Sequence, residues 1–161
     1  MASDIILEID GVQGESKSKE NMVDIMSYSW GVINHGTAAA GGGLGSGRSS
    51  FQDFNFSTAM SKASPALALK CATGEHIPKV VLYQKKAGGG TDGGKLYYTV
   101  TMENVLVSSY QQGASDGGGE PLDSFTFNYS KIKTEYKVQN EAGAMVAGGD
   151  FAFDLKLGKT A

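Results

Sequence analysis

The longest regular alternation in the chain runs through residues 95–136. Leu96, Tyr98, Val100 and Met102 alternate with Tyr97, Thr99, Thr101 and Glu103, a period of two that puts one apolar row on one face of a β-strand. A polar, glycine-rich turn over residues 113–120 follows. The second arm opens with Phe125, Phe127 and Tyr129 on one parity and continues with Ile132, Thr134 and Tyr136 on the other. This one-residue slip near Ser130 or Lys131 predicts a β-bulge. A bent, strongly twisted hairpin of this length suits a barrel better than a flat sheet, because closure needs local bends.

The same reading extends along the chain. Residues 4–10 predict a short strand and residues 11–21 a polar connection. Over residues 23–34, Met26, Tyr28, Trp30 and Val32 share one face of a strand, while Ser27, Ser29 and Gly31 share the other. Such a small polar face can look into water. Residues 77–85 are apolar on both parities, Val80 and Leu82 against Val81 and Tyr83, which predicts a strand covered on both sides. Residues 87–94 and 140–149 read as loops, and Phe151, Phe153, Leu155 and Leu157 as the apolar row of a final strand.

One helix is announced by Ser64-Pro65, a capping residue followed by a residue favoured in the first turn, and it ends at Gly74. Leu67 and Cys71 lie four apart, so Cys71 is expected to be a buried thiol. His76, just past the helix end, is expected to meet the last carbonyls. The fold class is therefore mainly β: a closed, twisted β-barrel of two packed sheets with one short α-helix and a long extended loop.

That loop, residues 36–50, is rich in Gly and Ala and carries few charges. Its Gly42-x4-Gly47-Arg48-Ser49 comes close to a phosphate-binding loop. Arg48 replaces the lysine, however, and the following Ser49, Phe51, Asp53, Phe54 and Phe56 read as strand where a helix N-terminus is needed.

Composition narrows the function. With 161 residues, 40% of them hydrophobic and 19% charged, the chain has material for one core, so residues 1–161 are expected to form a single domain. A net charge of -3, with no basic run longer than Lys85-Lys86, leaves no footprint for nucleic acid or an anionic membrane. A single cysteine and two histidines, His35 and His76, do not suffice for a closed zinc site. The N-terminal stretch lacks the basic region and continuous apolar run of a signal peptide, and no apolar run reaches membrane-spanning length. A soluble cytosolic protein is expected, unless it leaves the cell without a cleaved signal. The histidines sit far apart beside turns, and no Asp or Glu stands out in an apolar strand position. No enzyme activity, metal or cofactor is therefore expected.

Several stretches in collinear order carry a family resemblance. These are Val12-Gln13-Gly14-Glu15-Ser16, Ser27-Tyr28-Ser29-Trp30-Gly31, the glycine-rich loop, Ser64-Pro65 through Cys71 to Gly74-x-His76-x-Pro78, and Val105-Leu106-Val107-Ser108-Ser109-Tyr110. The chain resembles Hcp, the haemolysin-coregulated proteins that form the inner tube of bacterial type VI secretion systems. It departs from them where a Trp commonly follows Gly in the last strand: here Gly149 precedes Asp150-Phe151-Ala152-Phe153.

The resemblance implies a β-barrel with a flanking helix, hexameric rings stacked into a tube like that of a phage tail, and secreted effector proteins carried in the lumen. It implies a contractile sheath, tip and baseplate proteins as partners. It also implies residence in the bacterial cytoplasm before firing and export without a signal peptide. In that setting Ser27 and Ser29 are the expected lumen and effector-binding residues, and Ala38, Ala39, Ala40, Gly43, Leu44 and Gly45 the expected subunit interface. The competing reading from the residues is a monomeric small-ligand-binding barrel with the glycine-rich loop as its lid.

Overall fold

The computed structural model describes residues 4–36, 48–86 and 94–161. In chain order their elements are β1 (Ile5–Ile9), β2 (Val23–Asp24), β3 (Ser27–Ser29), β4 (Val32–Asn34), β5 (Ser49–Phe51) and β6 (Phe54–Ala59). The helix α1 (Ala63–Thr73) follows, then β7 (Ile77–Lys85), β8 (Leu96–Gly113), β9 (Leu122–Asn128), β10 (Lys131–Gln139), β11 (Met145–Asp154) and β12 (Lys159–Thr160).

The fold is mainly β, and it turns on β8. The first half of this strand pairs with β7 and β10, inside a sheet ordered β12-β11-β10-β8-β7-β1-β2. Its second half pairs with β9, inside a sheet ordered β3-β6-β9-β8. Ser108 is the residue left over between Val107↔Phe127 and Ser109↔Thr126, and this bulge bends the strand from one sheet into the other. The parity slip in the facing arm has a related cause. β9 ends at Asn128 and β10 begins at Lys131, so the chain changes sheets at Tyr129-Ser130. The bulge expected there sits on the partner strand instead.

The expected closed barrel is corrected in the same way. No ladder joins β2 to β3; Ile25 N–H donates to Ile5 O on one sheet, and Met26 N–H donates to Ser57 O on the other. The strand expected over residues 23–34 is thus cut into β2, β3 and β4, the last pairing with β5 in a sheet of its own. Because the corner lets Ile25 turn inward, Met26 points to solvent, against its parity with Tyr28.

Between the two sheets lies a core of Leu7, Leu82, Val100, Met102 and Ile132 from the larger sheet, facing Phe54, Phe56, Phe125 and Phe127 from the smaller. The phenylalanines form a contiguous stack, with centroids 4.9 Å apart for Phe54–Phe56, 5.1 Å for Phe56–Phe125 and 5.2 Å for Phe125–Phe127. Each such pair contributes roughly 0.5–1.5 kcal/mol beyond its buried area. In β7, Val80 and Leu82 enter this core while Val81 is buried on the opposite face.

The helix begins at Ala63, two residues earlier than a cap at Ser64 would start it. Ser61 and Ser64 instead bond to each other, Ser61 N–H donating to Ser64 Oγ and Ser64 N–H to Ser61 O, both at 3.0 Å, while Ala63 N–H donates to Ser61 Oγ at 3.2 Å. Gly74 closes the helix at φ +71°, its N–H donating to Lys70 O. Leu67 is buried, but Cys71 is only partly covered at the margin of the core. His76 does not reach the helix carbonyls; its Nδ1 lies 3.0 Å from Asn104 Oδ1, and Asn104 Nδ2 donates to Ser130 Oγ. Of the loop expected over residues 140–149, only the start is a turn. There Asn140 N–H donates to Ala144 O, and β11 then pairs with β10 from Met145 onward. Leu157 belongs to the turn after β11, exposed rather than in the core row.

Gly14 shows why one motif needs glycine. It is buried, and a Cβ built on it would overlap the Met22 carbonyl, a backbone atom that cannot swing away. Replacing Gly14 by Ala is expected to cost about 1–3 kcal/mol in chemical denaturation. Gly113→Ala, where the added carbon meets open space, should stay within about 0.5 kcal/mol.

Candidate functional site

Alternation along the smaller sheet sends Tyr28, Phe54, Phe56, Phe125 and Phe127 inward and leaves the other parity facing out. The register aligns those outward residues into rows. Ser27, Ser57, Ser124 and Gln111 form one row across β3, β6, β9 and β8; Ser29, Asn55, Thr126 and Ser109 form the next. Neither row carries a charge. Thr126 Oγ1 lies 2.6 Å from both Ser108 Oγ and Ser109 Oγ, so the hydroxyls are linked across the strands. At one end Asp53 accepts from Ser108 Oγ at 2.7 Å and from Asn128 Nδ2 at 2.9 Å. At the other end Met26 and Leu122 are exposed beside a shallow hollow that Ser27, Ser57 and Ser124 share.

The outer face of the larger sheet has the opposite character. Lys79, Glu103, Lys131, Asp154 and Lys159 line up across five strands with alternating sign. Lys131 Nζ lies 3.9 Å from Glu103 and 4.0 Å from Asp154. This surface carries alternating charges, whereas the two serine rows carry none.

The two expected lumen residues, Ser27 and Ser29, are both exposed on the uncharged face, opposite Ser57 and Asn55. Ala38, Ala39, Ala40, Gly43, Leu44 and Gly45 lie outside the described residues. Sequence reasoning missed the other six members of the two rows. Their signal was present, since Ser124 and Thr126 alternate with the buried Phe125 and Phe127.

The serine face is held from beneath. Tyr28, between Ser27 and Ser29, donates its hydroxyl to Gln84 Oε1 at 2.7 Å, and burial pushes its phenol up to about 12. Asp123 shares the inward parity of Phe125 and is buried, which corrects the expectation that no carboxylate occupies an apolar strand row. Its oxygens accept from Ser64 Oγ and, at 3.1 Å, from Gln112 Nε2, so it ties the first turn of α1 to β8 and β9. Both oxygens are engaged within the protein. Among the described residues no group of His, Cys, Asp and Glu is placed to hold a metal ion. No helix among them is long and apolar enough to cross a membrane.

Where the resemblance expects a Trp after Gly149, Phe151 and Phe153 pack on aromatics from the first half of the chain. Phe151 lies 6.4 Å from Trp30 and 6.3 Å from Phe51, and Phe153 lies 5.0 Å from Phe51.

Two packed β-sheets with a helix beside them and two uncharged rows on one outer face describe a class of fold that comparison with known proteins identifies. The family model described as type VI secretion system effector, Hcp, matches residues 6–136. Protein hcp1 of Pseudomonas aeruginosa is 35% identical over 150 residues, covering 92% of this chain and 91% of its own. A solved structure of a type six secretion system protein superposes with a TM-score of 0.89 at 26% identity, covering 99% of this chain and 100% of that one. Hcp1 from Salmonella typhimurium superposes at 0.79 with 30% identity, both chains being covered completely. The chain belongs to the Hcp family of type VI secretion tube proteins.

Tyr28 and Ser29 should respond differently to substitution. Tyr28→Phe removes a half-buried hydrogen bond and is expected to cost about 0.5–1.5 kcal/mol. Ser29→Ala, on the exposed parity, should change stability by less than about 0.5 kcal/mol in the same denaturation measurement.

Proposed function

We propose that this chain is the subunit of a hexameric ring that stacks into the expelled tube, with the face bearing Ser27 and Ser29 turned to the lumen. The observation that supports this most directly is the pair of uncharged rows across the smaller sheet. A surface of hydroxyl and amide groups stays wetted, offers hydrogen bonds to a folded guest and has no fixed charge to hold it permanently. The edges of that sheet add to the case. Among the described residues β3 pairs only with β6, and the distal half of β8 only with β9. Unpaired edges invite association, and joining the β3 edge of one copy to the β8 edge of the next would continue the rows around a ring.

In this reading secreted effector proteins ride in the lumen, and the segment with Ala38 to Ala40, Gly43, Leu44 and Gly45 packs on the adjacent subunit. The sheath, tip and baseplate proteins act on the assembled tube, and the protein waits in the bacterial cytoplasm until firing. The competing ligand-binding barrel needs an interior cavity, but the four phenylalanines and their aliphatic partners occupy the space between the sheets.

Native mass measurement is expected to give six times the 16.8 kDa chain; a single-chain mass at micromolar concentration would defeat the proposal. Within intact rings, Ser29→Trp should sharply lower co-purification of a cognate effector. Unchanged retention would remove Ser29 from the guest-binding surface.

A further inference from the structure

Beside the corner at Ile25, where the chain leaves one sheet for the other, runs an open groove of about 760 Å³. Asp4, residues 15–17, residues 23–26, residues 58–61 and Glu120 line it. Hydrogen bonds tie these segments together: Thr58 Oγ1 donates to Asp24 O at 2.5 Å, Ser16 Oγ to Asp24 Oδ1 at 2.5 Å, and Lys62 N–H to Glu15 Oε1 at 3.0 Å. Two kinds of side chain meet in the groove. Met26 and Met60 line it and are exposed, unlike Met22 and Met102, which are buried. Leu122, also exposed, adjoins them, since Met60 N–H donates to Pro121 O and Leu122 shares the serine hollow with Met26. The other kind is acidic: Asp4, Glu15, Asp24 and Glu120 face a single lining lysine, Lys17. Lys19, Lys62 and Lys85 stand on adjoining residues. Among the described residues none of the four carboxylates has a lysine Nζ within 4.0 Å.

We infer that this corner groove docks a segment of a partner polypeptide in which lysine or arginine stands beside aliphatic side chains. Charge complementarity selects that partner. Carboxylates without a cation of their own gain one from the incoming segment, and the exposed methionines gain an apolar cover in place of water. Methionine is unbranched and polarizable, so one groove fits aliphatic side chains of different shape. The hydrogen bonds already hold the walls, which keeps the ordering needed on docking small. The carboxylates stay in contact with water, so they set orientation and encounter rate and are screened by salt. The methionines act mainly on residence time. The groove lies at the end of the serine rows rather than along them, and the inference does not depend on the ring-and-tube reading.

Fluorescence anisotropy on the whole chain provides the test, with a labelled peptide that alternates lysine and serine around a pair of leucines. The wild type is expected to bind this peptide and to release it as sodium chloride rises towards about 0.5 M. Asp4→Lys with Glu120→Lys should weaken binding about tenfold and should capture the matching peptide that has glutamate in place of lysine, a gain only a folded variant can show. Met26→Ser with Met60→Ser should also weaken binding about tenfold, with the salt dependence kept. Glu8→Lys with Glu20→Lys, in the separate groove beside Lys79, should bind like the wild type. Equal binding by the Asp4 and Glu120 variant, or an equal loss in the Glu8 and Glu20 variant, overturns the inference, because the attraction then follows the overall charge of -3. Undiminished binding by the methionine variant overturns it as well. So does a native mass of the Asp4 and Glu120 variant below that of the wild type, since the groove then holds another copy of the chain.

Discussion

One strand cannot lie flat in two sheets, and the rest of the structure follows from how β8 manages to belong to both. Its inserted Ser108 turns the strand at the point where the facing arm breaks between Asn128 and Lys131. The two sheets are therefore covalently continuous at one edge and come together around a single core. The corner near Ile25 brings them together again at the opposite edge with isolated hydrogen bonds instead of a ladder. The bulge thus decides the angle between sheets, the room for the phenylalanine stack, and the direction in which the serine rows face.

The two outer surfaces are chemically divided by that arrangement. The larger sheet shows alternating charges, whose mutual pairing is cheap to expose and contributes little to stability in water. The smaller sheet shows hydroxyls and amides tied to one another. Its inward side is unusually well fixed: an aromatic stack, the Tyr28 hydrogen bond and the buried Asp123, whose bonds to Ser64 and Gln112 hold the helix in place. A rigid underside lets the outward side consist of small groups that pack against nothing.

Much of this was legible in the sequence. The hairpin of β8 and β9, the doubly covered β7 and the helix ending at Gly74 all follow from local period and punctuation. Family motifs supplied the functional class. What escaped had non-local causes. A parity slip looks the same whether it marks a bulge or a change of sheet, and only the partner strand tells them apart. Met26 keeps the parity of a buried residue but stands outside because the chain turns a corner before it. Asp123 was hidden by its charge, although its position two residues before Phe125 placed it in the buried row. Of the candidate site, Ser27 and Ser29 could be read from one strand, whereas their cross-strand companions required the register.

The antiparallel ladder of β7, β8 and β10 has a mechanical meaning. Antiparallel hydrogen bonds lie perpendicular to their strands, and the ladder bonds of β7 with β8 extend from Ile77↔Val105 to Lys85↔Leu96. A pull or push along the strand direction loads these bonds side by side in shear. They would have to fail together, whereas a force across the strands would open them one at a time like a zip. A chain built this way is stiff along the direction shared by β7, β8 and β10.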